Sequence, residues 1–341
     1  MPSMNVAIVG AGICGLAAAY ELQRRGARVT VYEAEAVGAG QSIGLARIFR
    51  IAHAQPELCA LALEARKGWR AWEREFGEHL LGEEGLVVVG GDSATAAGSE
   101  SAAAGGESAA TGGESAATDS AGAAAGGEPP HAAAMRAAGA PVEPLGADAV
   151  RERLPFFGYD WGGGIFDPLA GSLRIRRALD ALAARVDVER RTVTDLSTLD
   201  ADAVLVCAGL GTHALVPELD FQLTYDPHIR VTYELGASAP CVISPELYGC
   251  ALGSTGRYAI GMHDQSTHAA VDLVPVGRVE CVSPYAPWLD AHGDGFLALR
   301  HGRVTAFTGS NLMKFGPLIG ERLAASVLAG EIHPDLRSSA D

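Results

Sequence analysis

The sequence predicts an α/β fold, with a Rossmann-like sheet assembled from discontinuous stretches of chain and a mostly antiparallel β-sheet inserted into it. Three observations carry this. Residues 5–33 read as strand, glycine-rich turn, helix and second strand. Strand-like and helix-like segments keep alternating to the C-terminus, as an α/β protein requires. Residues 221–281 are rich in Val, Tyr, Thr and Ile between frequent turn residues, the composition of an antiparallel sheet.

Taken in chain order, Asn5–Val9 is a short buried strand, Ile13–Arg25 a helix and Arg28–Glu33 a second strand, which together make a βαβ unit. Residues 56–76 carry Leu58, Leu61, Ala65, Trp69, Trp72 and Phe76 at intervals of three or four. That spacing is one helical stripe, so these aromatics belong to a core rather than to a ligand. Residues 91–130 are almost entirely Gly, Ala, Ser, Thr and Glu, with GGESAAT in tandem at 105–111 and 112–118. The seven-residue period is no coiled coil, because only alanines stand where large apolar residues are needed. Such a segment buries too little apolar surface to offset its ordering entropy, and a disordered acidic loop is expected. Ala203–Cys207 is a compact apolar strand, and a helix over Pro317–Ala329 opens with proline in its first turn.

A chain of 341 residues is expected to divide into two packed domains. Residues 1–85, 145–215 and 290–341 would form the dinucleotide-binding domain, and residues 86–90 and 216–289 the substrate domain. The net charge of −15 argues against nucleic acid, whose binding draws on clustered Lys and Arg. No apolar run reaches the roughly 18 residues of a membrane span. Val6–Ala19 is apolar but follows no basic residue, so it reads as fold rather than as a secretory signal, and a cytoplasmic protein is expected. The six cysteines (Cys14, Cys59, Cys207, Cys241, Cys250 and Cys281) include no C-x-x-C pair, and no histidine spacing suits a metal. Each cysteine is by default a small buried hydrophobe.

The sharpest motif is Gly10-Ala-Gly12-Ile-Cys-Gly15, a G-x-G-x-x-G lying between the first strand and the first helix. Gly10 permits the tight turn, Gly12 lets a pyrophosphate approach the backbone, and Gly15 allows close helix–strand packing. The helix N-terminus then offers free N–H groups to phosphates. Glu33 follows 18 residues after Gly15, at the end of the second strand, where a carboxylate accepts hydrogen bonds from ribose hydroxyls. That acid disfavours a 2′-phosphate and hence NADP. The motif alone leaves FAD and NAD open.

Four further stretches follow in order: Gly40-Gln-Ser42-Ile-Gly44-Leu-Ala-Arg47-Ile-Phe-Arg50; Phe166-Asp-Pro-Leu-Ala-Gly171; the isolated Cys281; and Gly309-Ser-Asn311-Leu312-Met-Lys314-Phe-Gly-Pro-Leu-Ile-Gly320-Glu. Together with the glycine motif they resemble the monomeric sarcosine oxidase and N-methyl-amino-acid oxidase family over nearly the whole chain except the low-complexity loop. The resemblance implies FAD, and oxidation of a C–N bond in an amino-acid-like substrate by hydride transfer to flavin N5, giving an imine. It implies that Gly10, Gly12, Gly15, Glu33, Ser42, Arg47, Cys281, Gly309, Asn311, Leu312 and Lys314 contact the cofactor. Arg50 and Lys314 would hold the substrate carboxylate, as a planar fork and a point charge. Arg47, three residues from Arg50 and so on the opposite face of an extended segment, would sit against the flavin. The helix after Lys314 would aim its positive end at the flavin pyrimidine ring. Cys281 matches the position of an 8α-thioether to FAD, with a buried structural cysteine as the alternative.

Departures from the family bear on the electron acceptor, O₂ or another oxidant. Ala259 stands where the resemblance places an oxygen-activating lysine, with Arg257 the nearby cation that a shifted register would bring in. Asn311 and Leu312 replace a flavin-side histidine and a glycine, and Ile43 replaces another histidine. His263 is the candidate for tuning the substrate amine. Two rival readings stand beside the amine oxidoreductase: an NAD-dependent dehydrogenase, and a non-catalytic flavoprotein that acts as a partner.

Overall fold

A computed structural model describes residues 3–45, 47–90, 130–253, 255–264, 269–289 and 293–336. The βαβ unit is β1 (Asn5–Val9), α1 (Ile13–Arg24) and β2 (Arg28–Glu33). There follow β3 (Arg47–Phe49), α2 (Pro56–Phe76) and β4 (Leu86–Val89). Beyond residue 129 come α3 (Pro130–Ala137), β5 (Glu143–Leu145), α4 (Ala147–Arg153), β6 (Gly164–Asp167) and β7 (Gly171–Leu173). Next are α5 (Ile175–Ala183), β8 (Asp187–Arg190), β9 (Ala203–Val206), α6 (Thr212–Leu215) and β10 (Thr224–Glu234). Strands β11 (Cys241–Ile243), β12 (Leu247–Ala251), β13 (Arg257–Met262), β14 (Val274–Tyr285), β15 (Gly295–His301) and β16 (Val304–Ser310) lead to α7 (Gly316–Ala329).

The first sheet has the order β15-β16-β9-β1-β2-β8. β1 lies between β2 and β9, parallel to both, and only β15 runs antiparallel to its neighbour. A parallel strand covered on both faces must be apolar throughout, which is why Val6–Val9 are all buried. Helices α1 and α7 cover one face, and they touch where Gly320 leaves no side chain in the way. A Cβ there would lie 2.6 Å from the Ala17 side chain and 2.7 Å from its backbone carbon. The aromatic stripe of α2 packs as core, with Trp69 fully buried and its Nε1–H donating to the Lys314 carbonyl (2.8 Å).

The second sheet has the order β14-β10-β13-β12-β11-β4-β6-β5 and is antiparallel except where β11 meets β4. Its two faces follow the two-residue alternation of strands. Val231, Tyr233, Tyr258, Ile260 and Met262 point to one side into an apolar core. His228, Arg230, Ala259 and His263 point to the other, toward a cavity. β14 is the sheet's outer strand, and Val274, Val276, Val279 and Val282 on it are exposed.

Two boundaries differ from the sequence reading. Strand β6 falls within residues 145–215, assigned above to the dinucleotide-binding domain, yet it hydrogen-bonds to β4 and β5 in the eight-stranded sheet, because Ile165 and Phe166 pair there. The expected acidic loop lies outside the described residues from 91 to 129, while Pro130, taken as its last residue, opens α3.

The α1–α7 contact is directly testable. Gly320→Val forces branched carbons against the Ala17 backbone, and overpacking of this kind costs about 1–3 kcal/mol. A urea denaturation midpoint that did not fall would show that the helices do not meet as closely as described.

Candidate active site

One cavity of about 1180 Å³ opens at the C-terminal ends of β1, β2 and β9 and runs to the second sheet. It exceeds the roughly 300–1,000 Å³ of an ordinary small-ligand pocket, so it has room for a dinucleotide and a substrate together. At its first end, Gly10 adopts φ +106°, and a Cβ there would lie 2.4 Å from the Cys207 carbonyl oxygen. A Cβ on Gly15 would strike the Gly10 carbonyl, so the helix approaches the turn only because both are glycines. Gly12 caps α1 with no side-chain cap, leaving the helix start open to the cavity wall. Ser42 joins it, its hydroxyl accepting from the Ile13 N–H (3.1 Å). Glu33 is oriented by the N–H groups of Ala11 (2.7 Å) and Glu35 (3.0 Å). An ionised carboxylate has about four acceptor positions, so two backbone bonds leave capacity for ribose hydroxyls. This cradle, made of backbone that any Cβ would fill, fits the pyrophosphate and ribose of FAD.

The middle of the cavity is bounded by a buried charge cluster. Asp294, fully buried just before β15, accepts from Arg50 Nη2 (2.6 Å), Lys314 Nζ (2.9 Å) and His53 Nδ1 (2.9 Å). Burial pushes its carboxyl pKa up, but Lys314, Arg50 and His53 outweigh burial and hold it well below the usual range. His53 goes the other way. Burial first, then the Arg50 charge, depresses it to about 3, so it is a neutral donor. One carboxylate against two cations leaves a net charge of about one positive. Asp167, in the stretch Phe166–Gly171, sets the approach of Arg50: it accepts from the N–H groups of Ile51 (2.6 Å), Ala52 (3.1 Å) and Leu169 (3.0 Å). Trp69, bonded to the Lys314 carbonyl, positions the other cation.

The far end is floored by the eight-stranded sheet. Arg47 Nη2 donates to the carbonyls of Ile43 (2.7 Å) and Gln41 (3.4 Å). Burial, and then the nearby Arg230, lower the Arg47 pKa to about 10, still charged at neutral pH. The two guanidiniums converge: a Cβ on Gly44 would lie 2.8 Å from Arg47 Nη1 and 3.4 Å from Arg230 Nη2. His263 lines the cavity with Nε2 3.2 Å from the Ser244 carbonyl, a contact that puts the proton on Nε2 and leaves Nδ1 as acceptor. Burial lowers its pKa despite that carbonyl and the charges of Glu246 and Asp264. His228 faces the Tyr285 hydroxyl at 3.2 Å. Cys281, a partly exposed free thiol on β14, also lines the cavity.

Nearly every expected residue therefore borders one cavity: Gly10, Gly12, Glu33, Ser42, Arg47, Arg50, His263, Cys281, Gly309, Asn311, Leu312 and Lys314. Gly15 lies behind the cradle and acts through packing. Arg50 and Lys314 are brought together, but around Asp294 rather than open-handed. Arg257 is exposed, 3.6 Å from Glu234, and supplies no cation to the cavity; Ala259 does line it. The turn Leu312–Lys314, not the start of α7, reaches the cavity, because Gly316 and Pro317 pack against Ile13, Trp69 and Gly68. Asn311 adopts φ +55°, a left-handed conformation that asparagine tolerates well. Sequence reasoning missed Asp294, His53, Asp167 and Arg230. Arg230 left a signal: it is the one Lys or Arg in strand β10, two residues from His228 and so on the same face.

Among solved structures the chain is similar to NikD, described as an unusual amino acid oxidase essential for nikkomycin biosynthesis. The TM-score is 0.73 at 21% identity, covering 99% of this chain and 98% of that one. It is similar to L-proline dehydrogenase from P. horikoshii (TM-score 0.73, 14% identity, 96% and 94% covered). It is also similar to glycine oxidase from Geobacillus kaustophilus (TM-score 0.72, 18% identity, 99% and 100% covered). At these identities the likeness is one of fold. No curated protein matches the chain. Residues 5–325, which include the cradle, the charge cluster and the sheet floor, match the model described as FAD dependent oxidoreductase. The chain thus belongs to the DAO family of FAD dependent oxidoreductases, and the cofactor of its glycine motif is FAD.

Proposed function

We propose that the protein oxidises the C–N bond of an amino-acid-like amine, secondary or cyclic, whose carboxylate is drawn to the Arg50–Asp294–Lys314 cluster. The observation that carries this is the continuity of one cavity from the glycine cradle to a cation-rich chamber. The names of three proteins of the same fold, an amino acid oxidase, a glycine oxidase and a proline dehydrogenase, support an amino-acid substrate. In this reading the six-stranded sheet and its helices carry the cofactor, and the eight-stranded sheet shapes the substrate chamber. Bound FAD supplies the hydride acceptor, and the resulting imine hydrolyses or cyclises.

The chain's own residues position, charge and dry the site. The cluster presents one net positive charge to an anion, fixed in place by Asp167 and Trp69. His263, neutral because burial lowers its pKa, adds no positive charge to the chamber and offers Nδ1 as an acceptor for an N–H of the substrate amine. Arg47 lies at the chamber beside the cofactor segment. Cys281 is the thiol that a thioether to FAD would use. Ala259 brings no ammonium to the chamber, so the electron acceptor is settled by whether reduced enzyme reoxidises in air.

Three measurements test the reading. Anaerobic addition of proline, sarcosine and related amines to the yellow holoenzyme should bleach the flavin with at least one of them; yellow protein that no amine bleaches would instead be a non-catalytic flavoprotein. On acid precipitation, colour should stay with the pellet and move to the supernatant in Cys281→Ala; colour in the supernatant of the parent enzyme removes the tether. Arg50→Ala, which takes the net charge of the cluster from one to zero, should raise the dissociation constant of the bleaching amine about tenfold or more. An unchanged constant discards that role.

The cluster also sets a pH dependence. Because folding depresses the His53 pKa from 6.5 to about 3, its contribution to stability is complete above pH 6.5 and is lost as pH falls toward 3, where only the unfolded chain takes up the proton. The stability of wild type relative to His53→Asn should therefore drop by up to about 2 kcal/mol between pH 7 and pH 5. Parallel pH profiles of the two proteins in urea would show that His53 is not the group responsible.

A further inference from the structure

Arg230 is a charge that the proposed chemistry leaves over. It is 7% exposed, lines the cavity, and its Nε is buried with no hydrogen-bond partner. Among the described residues no carboxylate pairs with it. Asp294 is engaged instead by Arg50, Lys314 and His53. A charge beside it is another cation, Arg47. A buried guanidinium in such company is costly unless an anion joins it.

The sheet register shows where that anion would sit. Gly261 on β13 is the cross-strand partner both of Arg230 and of Tyr248. Having no side chain, it lets Tyr248 lean over it: a Cβ on Gly261 would lie 2.4 Å from the Tyr248 hydroxyl oxygen. The hydroxyl is thereby held above the strand position next to Arg230. Burial pushes the Tyr248 pKa up to about 12, so the hydroxyl remains a donor at neutral pH. A guanidinium fork beside a phenol O–H is a carboxylate receptor, separate from the Arg50–Lys314 cluster.

We propose that Arg230 and Tyr248 bind a second carboxylate, so that the preferred substrate is an amine carrying two carboxylates, one for each cationic centre. This rests on the amine-oxidising reading above, and adds to it a charge match. A monocarboxylate would leave one centre uncompensated; a dicarboxylate answers both.

The test uses the holoenzyme and inert ligands, read by the shift of the flavin visible spectrum and by the thermal midpoint. Succinate and glutarate are compared with butyrate and valerate. Wild type should bind the dicarboxylates at least about tenfold more tightly than the chain-matched monocarboxylates. Arg230→Gln should erase that difference while keeping the flavin content and the monocarboxylate affinity, and Arg230→Lys should keep part of it. Equal binding of the two ligand classes by wild type overturns the proposal without any variant, as does a preference that survives Arg230→Gln. Loss of flavin from Arg230→Gln but not from Arg230→Lys also overturns it, since Arg230 would then be a cofactor contact. If Arg230→Gln does not fold, Arg230→Met is read in its place. Should monocarboxylic amines bleach the flavin while dicarboxylates gain nothing, this inference alone fails. Should no amine bleach it, the amine-oxidising reading fails, and the ligand titration still reports on Arg230.

Discussion

The placement of the buried cations depends on one carboxylate. Asp294 stands just ahead of β15 and reaches cations from the loop after β3 and from the turn before α7, together with the neutral ring of His53. Burying any of these charges alone would be strongly unfavourable, and the mutual attraction of the group offsets the loss of water. The geometry is consequently held from several directions. Asp167 grips the backbone at Ile51 and Ala52, and Trp69 grips the carbonyl of Lys314. Both cations therefore have fixed positions whether or not an anion is near them, which is the kind of preorganisation an electrostatic site needs.

How far the sequence could be read divides along physical lines. Local patterns were legible: the G-x-G-x-x-G turn, the acid closing β2, and the stripe of α2, which runs from Pro56 to Phe76 as its spacing predicted. Each of these depends on neighbours a few residues away. The segment 164–167 was harder, because strand partnership is decided by distant chain and nothing within Gly164–Asp167 says which sheet it joins. The same holds for Asp294. An isolated acid before an apolar strand has no spacing signature, and its role appears only when residues 244 and 20 positions away in the chain close around it.

The resemblance to amine oxidases was informative on position and less so on state. It singled out Arg50 and Lys314 as neighbours, and they are, but only the fold reveals the acid between them. It marked Ala259 as a missing cation and Arg257 as a stand-in. Arg257 shares a sheet face with Ala259 but sits at the exposed start of β13, where it pairs with Glu234 at the surface instead of reaching the cavity. A chamber cation is nevertheless present on the same sheet face, on β10 instead of β13.

The placement of Cys281 on β14 ties the cavity to the margin of the sheet. An outermost strand with exposed valines has unpaired backbone along one margin, the feature by which sheet proteins most readily associate with one another. Residues 281–285 of that strand border the cavity, so a flavin seated there would brace the margin from within. Cofactor seating and the order of that outer strand are thereby coupled through residues 281–285.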